Sequence, residues 1–354
     1  MKALPSITIV DVAKRAAVAP ITVSRVVNRS GPVSEATRRR VEAAIAELGY
    51  VPNGVARSLA RASTRTIAFV QSDIVNPFWA TVLRGIEQTA SKAGYNTMLY
   101  DTPAEDEDGR HFTAQYDREH ARRFRDLVGR RVDGVIISSV RVESHLPMLD
   151  RAGIPYVFAV HEPDLPHHTS VIGDNIDGAR QVTLHLARVG RKRIAFINGP
   201  TWISTAADRL RGYRRGIEEA GLPHDPALVS EGDYTPDSGY QQTVSLANRG
   251  VEIDGIFAAN NFLALGALAA LRDRGLRVPE DVGLACFDDI ELAAMIDPFL
   301  TVVVEPAHEI GAAAARLLLE TVKGKGQADR RVVLPVQMVV RRSCGYRGSR
   351  PEGA

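Results

Sequence analysis

The chain has 354 residues, 45% of them apolar and 24% charged, with a formal net charge of +2. Length sets an expectation of two or three domains, and the composition is that of a folded globular protein, not a disordered one. No apolar run approaches the roughly 18 residues of a membrane span, the opening MKALPSITIVDVAKRA lacks the apolar core of a secretory signal, and the two isolated cysteines, Cys286 and Cys344, make neither a disulfide framework nor a zinc-ligand set, so a reducing cytosol is expected.

Charge is unevenly spread. Residues 1–65 hold 11 Lys+Arg against 4 Asp+Glu, while the remainder holds 33 against 38. A small basic head on an acidic body points to a polyanionic partner for the head.

In chain order, Thr8 followed by Asp11 has the form of a capping box, and Ile9, Val12, Ala13 and Ala16 repeat at helical spacing. A second helix opens at Pro20, a favoured first-turn residue, with Val23, Val26 and Val27 as its apolar stripe. A third starts at Ser34, carries Val41, Ala44, Ile45 and Leu48 on one face, and stops at Gly49. Tyr50–Asn53 reads as a turn, with Asn53 able to cap a short Ala-rich helix over 54–60 that is too small to be stable alone. From Thr66 onward short β-branched runs alternate with amphipathic helices. The strands include 67–70, 97–100, 134–137, 156–160, 193–197, 255–258 and 283–287, and the helices 79–93, 112–128, 178–189, 206–220, 237–248 and 262–274. Such alternation predicts parallel sheets with helices on both faces, and roughly 280 residues of it predict two sheet domains with a cleft between them. The end of the chain, from Gly345, is rich in Gly, Arg and Pro and is expected to be disordered.

Ala17-Val18-Ala19 is a three-residue turn between two helices, with a third helix following, the order of a helix-turn-helix whose second helix enters the major groove. With the valines inward, Pro20, Ile21, Ser24 and Arg25 face out. Arg25 can donate two hydrogen bonds to a guanine edge, Pro20 and Ile21 can pack on thymine methyls, and Thr8, Thr22, Ser24 and Asn28 suit phosphate contacts. Residues 8–60, with DVAKRAAV, TVSRVVN and ELGY.PN, closely resemble the DNA-binding head of the LacI family of bacterial transcription regulators. The resemblance extends over almost the whole chain, to about Arg342. It implies an all-α helix-turn-helix head over 1–52, a hinge helix and linker over 53–65, and a two-lobed body over 66–342 with two parallel-sheet, Rossmann-like subdomains, leaving 343–354 as a disordered tail. It further implies that Asn53, Ala56 and Leu59 meet DNA, Leu59 as the wedge that opens the central step through the minor groove. Ala19 stands where the family has Ser or Thr as N-cap, a loss of about 1 kcal/mol partly offset by Pro20.

The body resembles the clamshell that these regulators share with periplasmic sugar receptors. By that resemblance Asn76, Phe78 and Trp79 belong to the motif after the first strand, Asp73 precedes it facing the ligand, and Arg209, Tyr234, Asn260 and Asp288 match cleft residues, with His161 and Glu305 at two further cleft positions. The set suits a sugar: aromatic faces stack on C–H surfaces, while Asp288, Asn260 and Arg209 meet hydroxyls, and an arginine can grip a carboxylate. Asn261 replaces a common Asp, His161 a common Asp-Arg pair and Glu305 a common Gln. The extra carboxylate argues against an anionic ligand, although Arg209 and a protonated His161 could compensate. Asp288 closes a strand, where open α/β sheets bind ligands. Asp288 and Asp289 point to opposite faces and do not form a catalytic pair, His167-His168 lacks metal-ligand spacing, and the nucleotide-loop and nucleophile-elbow patterns are missing. The expectation is a cytoplasmic, nucleoid-associated, non-enzymatic homodimer on pseudo-palindromic double-stranded operator DNA, a repressor switched by a sugar or sugar derivative, without cofactor or membrane partner. The alternative is a regulator of the same type that answers to no small molecule or to a protein partner.

Overall fold

The structure is a computed structural model that describes residues 7–28, 30–51, 63–72, 74–102, 114–250, 252–289, 300–326 and 329–346. Contacts divide the chain into two units that meet between Arg65 and Thr66.

The first unit is a three-helix cluster: α1 (Ile9–Ala16), α2 (Pro20–Asn28) and α3 (Glu35–Leu48). Its local signals act as read. The Thr8 hydroxyl accepts from the Asp11 amide and the Asp11 carboxylate accepts from the Thr8 amide, closing a reciprocal cap. Ser34 caps α3, and Gly49 ends it in the left-handed region at φ 61°. Val12, Val23 and Val41 are wholly buried where the three helices meet. The turn contains Ala17 at φ 52°, a conformation that disfavours a Cβ.

The second unit is α/β and holds two lobes. In chain order its elements are β1 (Thr66–Gln71), α4 (Pro77–Lys92), β2 (Asn96–Asp101), α5 (Ala114–Gly129), β3 (Gly134–Ile137), α6 (Leu146–Ala152), β4 (Tyr156–Ala159), β5 (Ser170–Gly173), α7 (Asn175–Arg188), β6 (Ile194–Asn198), α8 (Ser204–Glu219), β7 (Val229–Glu231), α9 (Pro236–Asn248), β8 (Gly255–Ala258), α10 (Asn261–Asp273), β9 (Gly283–Phe287), β10 (Thr301–Val304), α11 (Ala307–Val322), β11 (Arg331–Leu334) and β12 (Gln337–Val339). Lobe 1 is a six-stranded sheet ordered β11-β5-β4-β3-β1-β2, parallel throughout. Lobe 2 is ordered β12-β10-β9-β8-β6-β7 and is parallel except at one edge, where β12 runs antiparallel to β10. The expected parallel sheets are found, with that one antiparallel edge, where β12 follows β11 across the lobe boundary and returns beside β10.

Three chain crossings join the lobes: β5 to α7 at Gly173–Asn175, β10 to α11 at Val304–Ala307, and β11 to β12 at Leu334–Gln337. Helix α7 places Ala179, Val182 and Leu186 in the core of lobe 2, and α11 returns Ile310, Ala314 and Leu318 to the core of lobe 1. There α11 lies backbone-to-backbone on α4. A Cβ on Gly85 would stand 2.0 Å from the His308 carbonyl oxygen, and one on Gly311 would stand 2.1 Å from that of Val82. Glycine at both positions is therefore a packing requirement.

Packing in lobe 2 continues past the expected end at Arg342. Ser343 and Cys344 are fully buried, and the Ser343 hydroxyl donates to the Leu284 carbonyl (2.6 Å) and accepts from the Thr301 amide (2.8 Å). Gly/Arg-rich composition beyond them hid two residues that tie β9 to β10 through Leu284 and Thr301.

Candidate functional site

In the head, Pro20, Ile21 and Arg25 are exposed along α2, and Ile21 is 60% exposed, much for a β-branched apolar residue. Thr22, Ser24 and Asn28 are partly covered, and the Asn28 amide donates to the Ser24 hydroxyl at 3.2 Å. Thr8 is exposed, but its hydroxyl is engaged with Asp11 in the cap of α1. The α1–α2 turn starts α2 from the Ala19 carbonyl, which accepts from Thr22 N at 2.9 Å. Asn53, Ala56 and Leu59 lie outside the described residues, as does Asp73 in the body.

In the second unit the carboxyl ends of both sheets face one cavity of about 500 Å³. Asn76, Phe78, Trp79 and His161 line it from lobe 1, and Arg209, Tyr234, Asn260, Asp288 and Glu305 from lobe 2 and the β10–α11 crossing. These residues, distant in sequence, meet because β1, β4, β6, β8 and β9 all end there.

Arg209, on α8, is the centre of the polar floor. Its Nε donates to Asn175 Oδ1 (2.7 Å), one terminal nitrogen to the Ala259 carbonyl (2.5 Å), and the other to Glu305 Oε2 (2.9 Å). Asp288 Oδ2 lies 4.0 Å away, and the guanidinium carbon sits 4.1 Å from the centroid of the Phe287 ring. Burial works against its charge, but the Asp288 and Glu305 carboxylates more than restore it and raise its pKa. Arg209 thus places three of its five N–H donors within the protein while still lining the cavity.

One guanidinium serves two buried carboxylates. Burial raises both Asp288 and Glu305, and Arg209 opposes it in each. Glu305 has the closer ion pair and also accepts from Asn175 Nδ2 at 3.3 Å. Asp288, with the longer contact to Arg209, is pushed up to about 7. Its Oδ1 is buried and has no hydrogen-bond partner within the described protein. A buried carboxylate oxygen left without a donor is costly unless a ligand or water supplies one. Asp289 turns the other way, to Arg341.

His161 is held down to about 3, first by burial and then by the Arg209 charge. It is therefore neutral at physiological pH. The compensating imidazolium entertained from the sequence does not form. Its ring lies 5.7 Å from that of Trp79, which meets Phe78 edge-on at 5.2 Å.

Asn76 and Asn260 are N-caps as well as lining residues. Asn76 Oδ1 accepts from the Phe78 amide (3.0 Å), and Asn260 Oδ1 accepts from the Leu263 amide (2.8 Å) while its Nδ2 donates to the Tyr234 carbonyl (3.1 Å). That last bond steadies Tyr234 at φ 71°. The Tyr234 ring lies against Gly199, where an added Cβ would stand 2.1 Å from the ring carbon Cζ. Val160 (φ 71°) and Asp288 (φ 67°) share the left-handed conformation. Three side chains at one cavity sit where the backbone disfavours a Cβ, the pattern of strain held at a functional site.

The sequence family described as bacterial regulatory proteins, lacI family, matches residues 8–53, and the periplasmic binding protein-like domain matches 183–344. The transcriptional regulator CelR of Thermobifida fusca is 39% identical over 344 residues, 95% of this chain and 98% of its own. The chain belongs to the LacI family. The repressor PurR of Aliivibrio salmonicida, a LacI-family relative, is 33% identical over 338 residues, 95% of this chain and 98% of its own. Among solved structures, the CelR–cellobiose complex matches with TM-score 0.72 and 38% identity, covering 95% of this chain and 99% of that one. The lac repressor dimer bound to operator and the anti-inducer ONPF matches with TM-score 0.84 and 29% identity, covering 96% and 99%.

On this LacI-family scaffold the cavity also has walls that the sequence reading missed: Trp202, Phe262, Thr205 and Ser138. Trp202 and Ser138 follow the ends of β6 and β3, and Phe262 follows that of β8, so the strand-end rule alone would have found them. Asn175, which joins Arg209 to Glu305, carries the same signal, two residues past the end of β5. Among the described residues no helix is long and apolar enough to cross a membrane.

Proposed function

We propose that this chain is a LacI-type repressor in which residues 1–52 read operator DNA, 53–65 form the hinge, and the body from 66 onward dimerises and binds a neutral sugar or sugar derivative between its lobes. The observation that carries the sugar reading is the cavity floor, where a buried Asp288 oxygen lacks a donor within the described protein, beside a guanidinium with N–H donors beyond its three protein bonds. That floor offers a hydroxyl both an acceptor and donors, and its two carboxylates against one guanidinium disfavour a phosphate or sugar acid. Aromatic rings from both lobes, Trp79 and Tyr234, supply faces for C–H surfaces. Relatives named for transcriptional repression, and the CelR–cellobiose complex, support the same reading.

Two heads on a two-fold operator follow from the limited reach of one small helix-turn-helix. The effector acts by fitting one lobe arrangement better than another, and it shifts operator affinity only by that difference. This role places the protein in the cytoplasm with the nucleoid and asks for no cofactor and no chemical reaction. Thermal-shift titration of the full chain with neutral sugars, sugar acids, sugar phosphates and nucleobases tests it, since a ligand of the native state raises the melting point by mass action. A neutral sugar is expected to raise it, and Asp288→Ala is expected to remove that response while operator binding persists. A sugar phosphate as the best ligand, or a normal response in the variant, would overturn the assignment of the floor.

A further inference from the structure

A second cavity, of about 610 Å³, adjoins the first and shares Val140, His161, Trp202 and Ile203 with it. Its own walls come from both lobes: Glu143 and Asp164 from the loops after β3 and β4, Thr201 from the β6–α8 turn, and Ser204 and Ala207 from the first turn of α8. Each cavity alone has the size of a small-molecule site. Trp202 stands on both. It is 39% exposed, and the Arg141 guanidinium carbon lies 4.7 Å from its ring centroid, lobe 1 against lobe 2. Polar bridges at the same boundary tie the lobes together, with the Glu162 amide donating to Ser204 Oγ at 2.8 Å. Glu162 itself is neutralised by Arg331 (2.8 and 3.0 Å). Of the remaining charged walls, Glu143 and Asp164 outnumber Arg141, whose guanidinium lies over the Trp202 ring, and this balance disfavours an anion, as Asp288 and Glu305 against Arg209 do in the inner cavity.

We infer that the effector is a neutral sugar of at least two rings, the first over Asp288 in the inner cavity and the second in the outer one, with the Trp202 indole as the shared wall. This rests on the sugar-effector reading above and adds the length of the ligand to it. A C–H face stacked on an indole, with hydroxyls toward Thr201, Ser204 and Asp164, is the recognition the outer walls provide. A single ring would leave that chamber to water and gain nothing from it.

The test is calorimetric titration of the full-length protein with glucose, cellobiose, maltose, galactose and lactose, alongside operator-release assays with the same sugars. One disaccharide is expected to bind at least tenfold tighter than its constituent monosaccharides and to release operator at correspondingly lower concentration. Two variants that fill only the outer chamber, Ala207→Phe and Thr201→Trp, are expected to reduce that ratio to within threefold while leaving monosaccharide affinity within twofold. Thr201 is exposed, so its variant separates chamber filling from misfolding. A monosaccharide that binds as tightly as every disaccharide, or a ratio unmoved by both variants, overturns the two-ring inference and leaves the sugar sensor standing. Silence to all five sugars overturns both.

Discussion

Asp288 sets the chemistry of the cleft through its proton. Its folded-state pKa is raised from 3.8 to about 7, chiefly by burial. A group raised in this way contributes stability that is fully present below its unfolded value and is lost as pH rises through about 7. His161 acts in the opposite sense. Held down to about 3, it contributes above its unfolded value of 6.5 and loses that contribution as pH falls. A sugar hydroxyl donating to Asp288 binds the carboxylate form, so effector affinity is expected to rise from pH 6 to pH 8 and to flatten in Asp288→Asn. Titrations across that interval check it, and a pH-independent affinity in the parent protein would mean that Asp288 does not change protonation on binding in that interval. Arg209→Ala leaves two buried carboxylates without their counter-charge. Breaking a buried pair typically costs about 3–5 kcal/mol, and a thermal midpoint lowered by roughly 10 °C is expected at about 2–4 °C per kcal/mol. A midpoint within 1 °C of the parent would mean that Arg209 is not the keystone of the floor. At this scale the sequence marked the right residue types at strand ends, but it could not show that Arg209 is already engaged or that Val160, Tyr234 and Asp288 adopt positive φ. The bonds of Arg209 reach partners 34 to 96 positions away along the chain, and the one that steadies Tyr234 reaches 26.

At the scale of elements, legibility followed local chemistry. The caps at Thr8, Ser34 and Gly49 fixed the head within a residue, because each satisfies backbone groups that lie next to it in sequence. Strand–helix alternation revealed the central strands of both sheets. It passed over β5, β7, β10, β11 and β12, which are only three or four residues long and take their partners from distant segments. It also passed over α11, whose alanine-rich face (AHEIGAAAARLLLETV) is shaped for close approach to α4. Gly311→Ala is expected to destabilise the body by about 1–3 kcal/mol by forcing the two helices apart, measured by denaturant unfolding. An unchanged midpoint would show that the helices are not in backbone contact. In the head, Arg25→Ala on the exposed face of α2 is expected to weaken specific operator binding by about 1–3 kcal/mol and to leave effector affinity untouched. Equal losses on specific and random DNA would reduce Arg25 to a phosphate contact.

At the scale of the whole molecule, the two functions meet in the lobes' shared connections. Glu305 lies on one chain crossing and Asn175 on another, and Arg209 binds both. A ligand that alters this floor therefore acts on the segments about which the lobes would turn. Coupling of about 1–3 kcal/mol is typical of such linkage, so effector is expected to shift operator affinity by about 5- to 150-fold, read by fluorescence anisotropy on labelled operator. Asp288→Ala is expected to bring that factor to one. The same crossings have a consequence for how the protein is made. Lobe 1 begins at Thr66, yet the helix that covers its β3–β4 face and the strand that ends its sheet are α11 and β11. Both leave the ribosome only after most of lobe 2 has been synthesised. At about 5–20 residues per second, that interval lasts on the order of 10 s. Through it the nascent chain carries an uncovered apolar surface that includes Val82, Ile86 and Ile136. The half that starts first finishes last, and the growing polypeptide needs shelter on its earliest lobe rather than its latest.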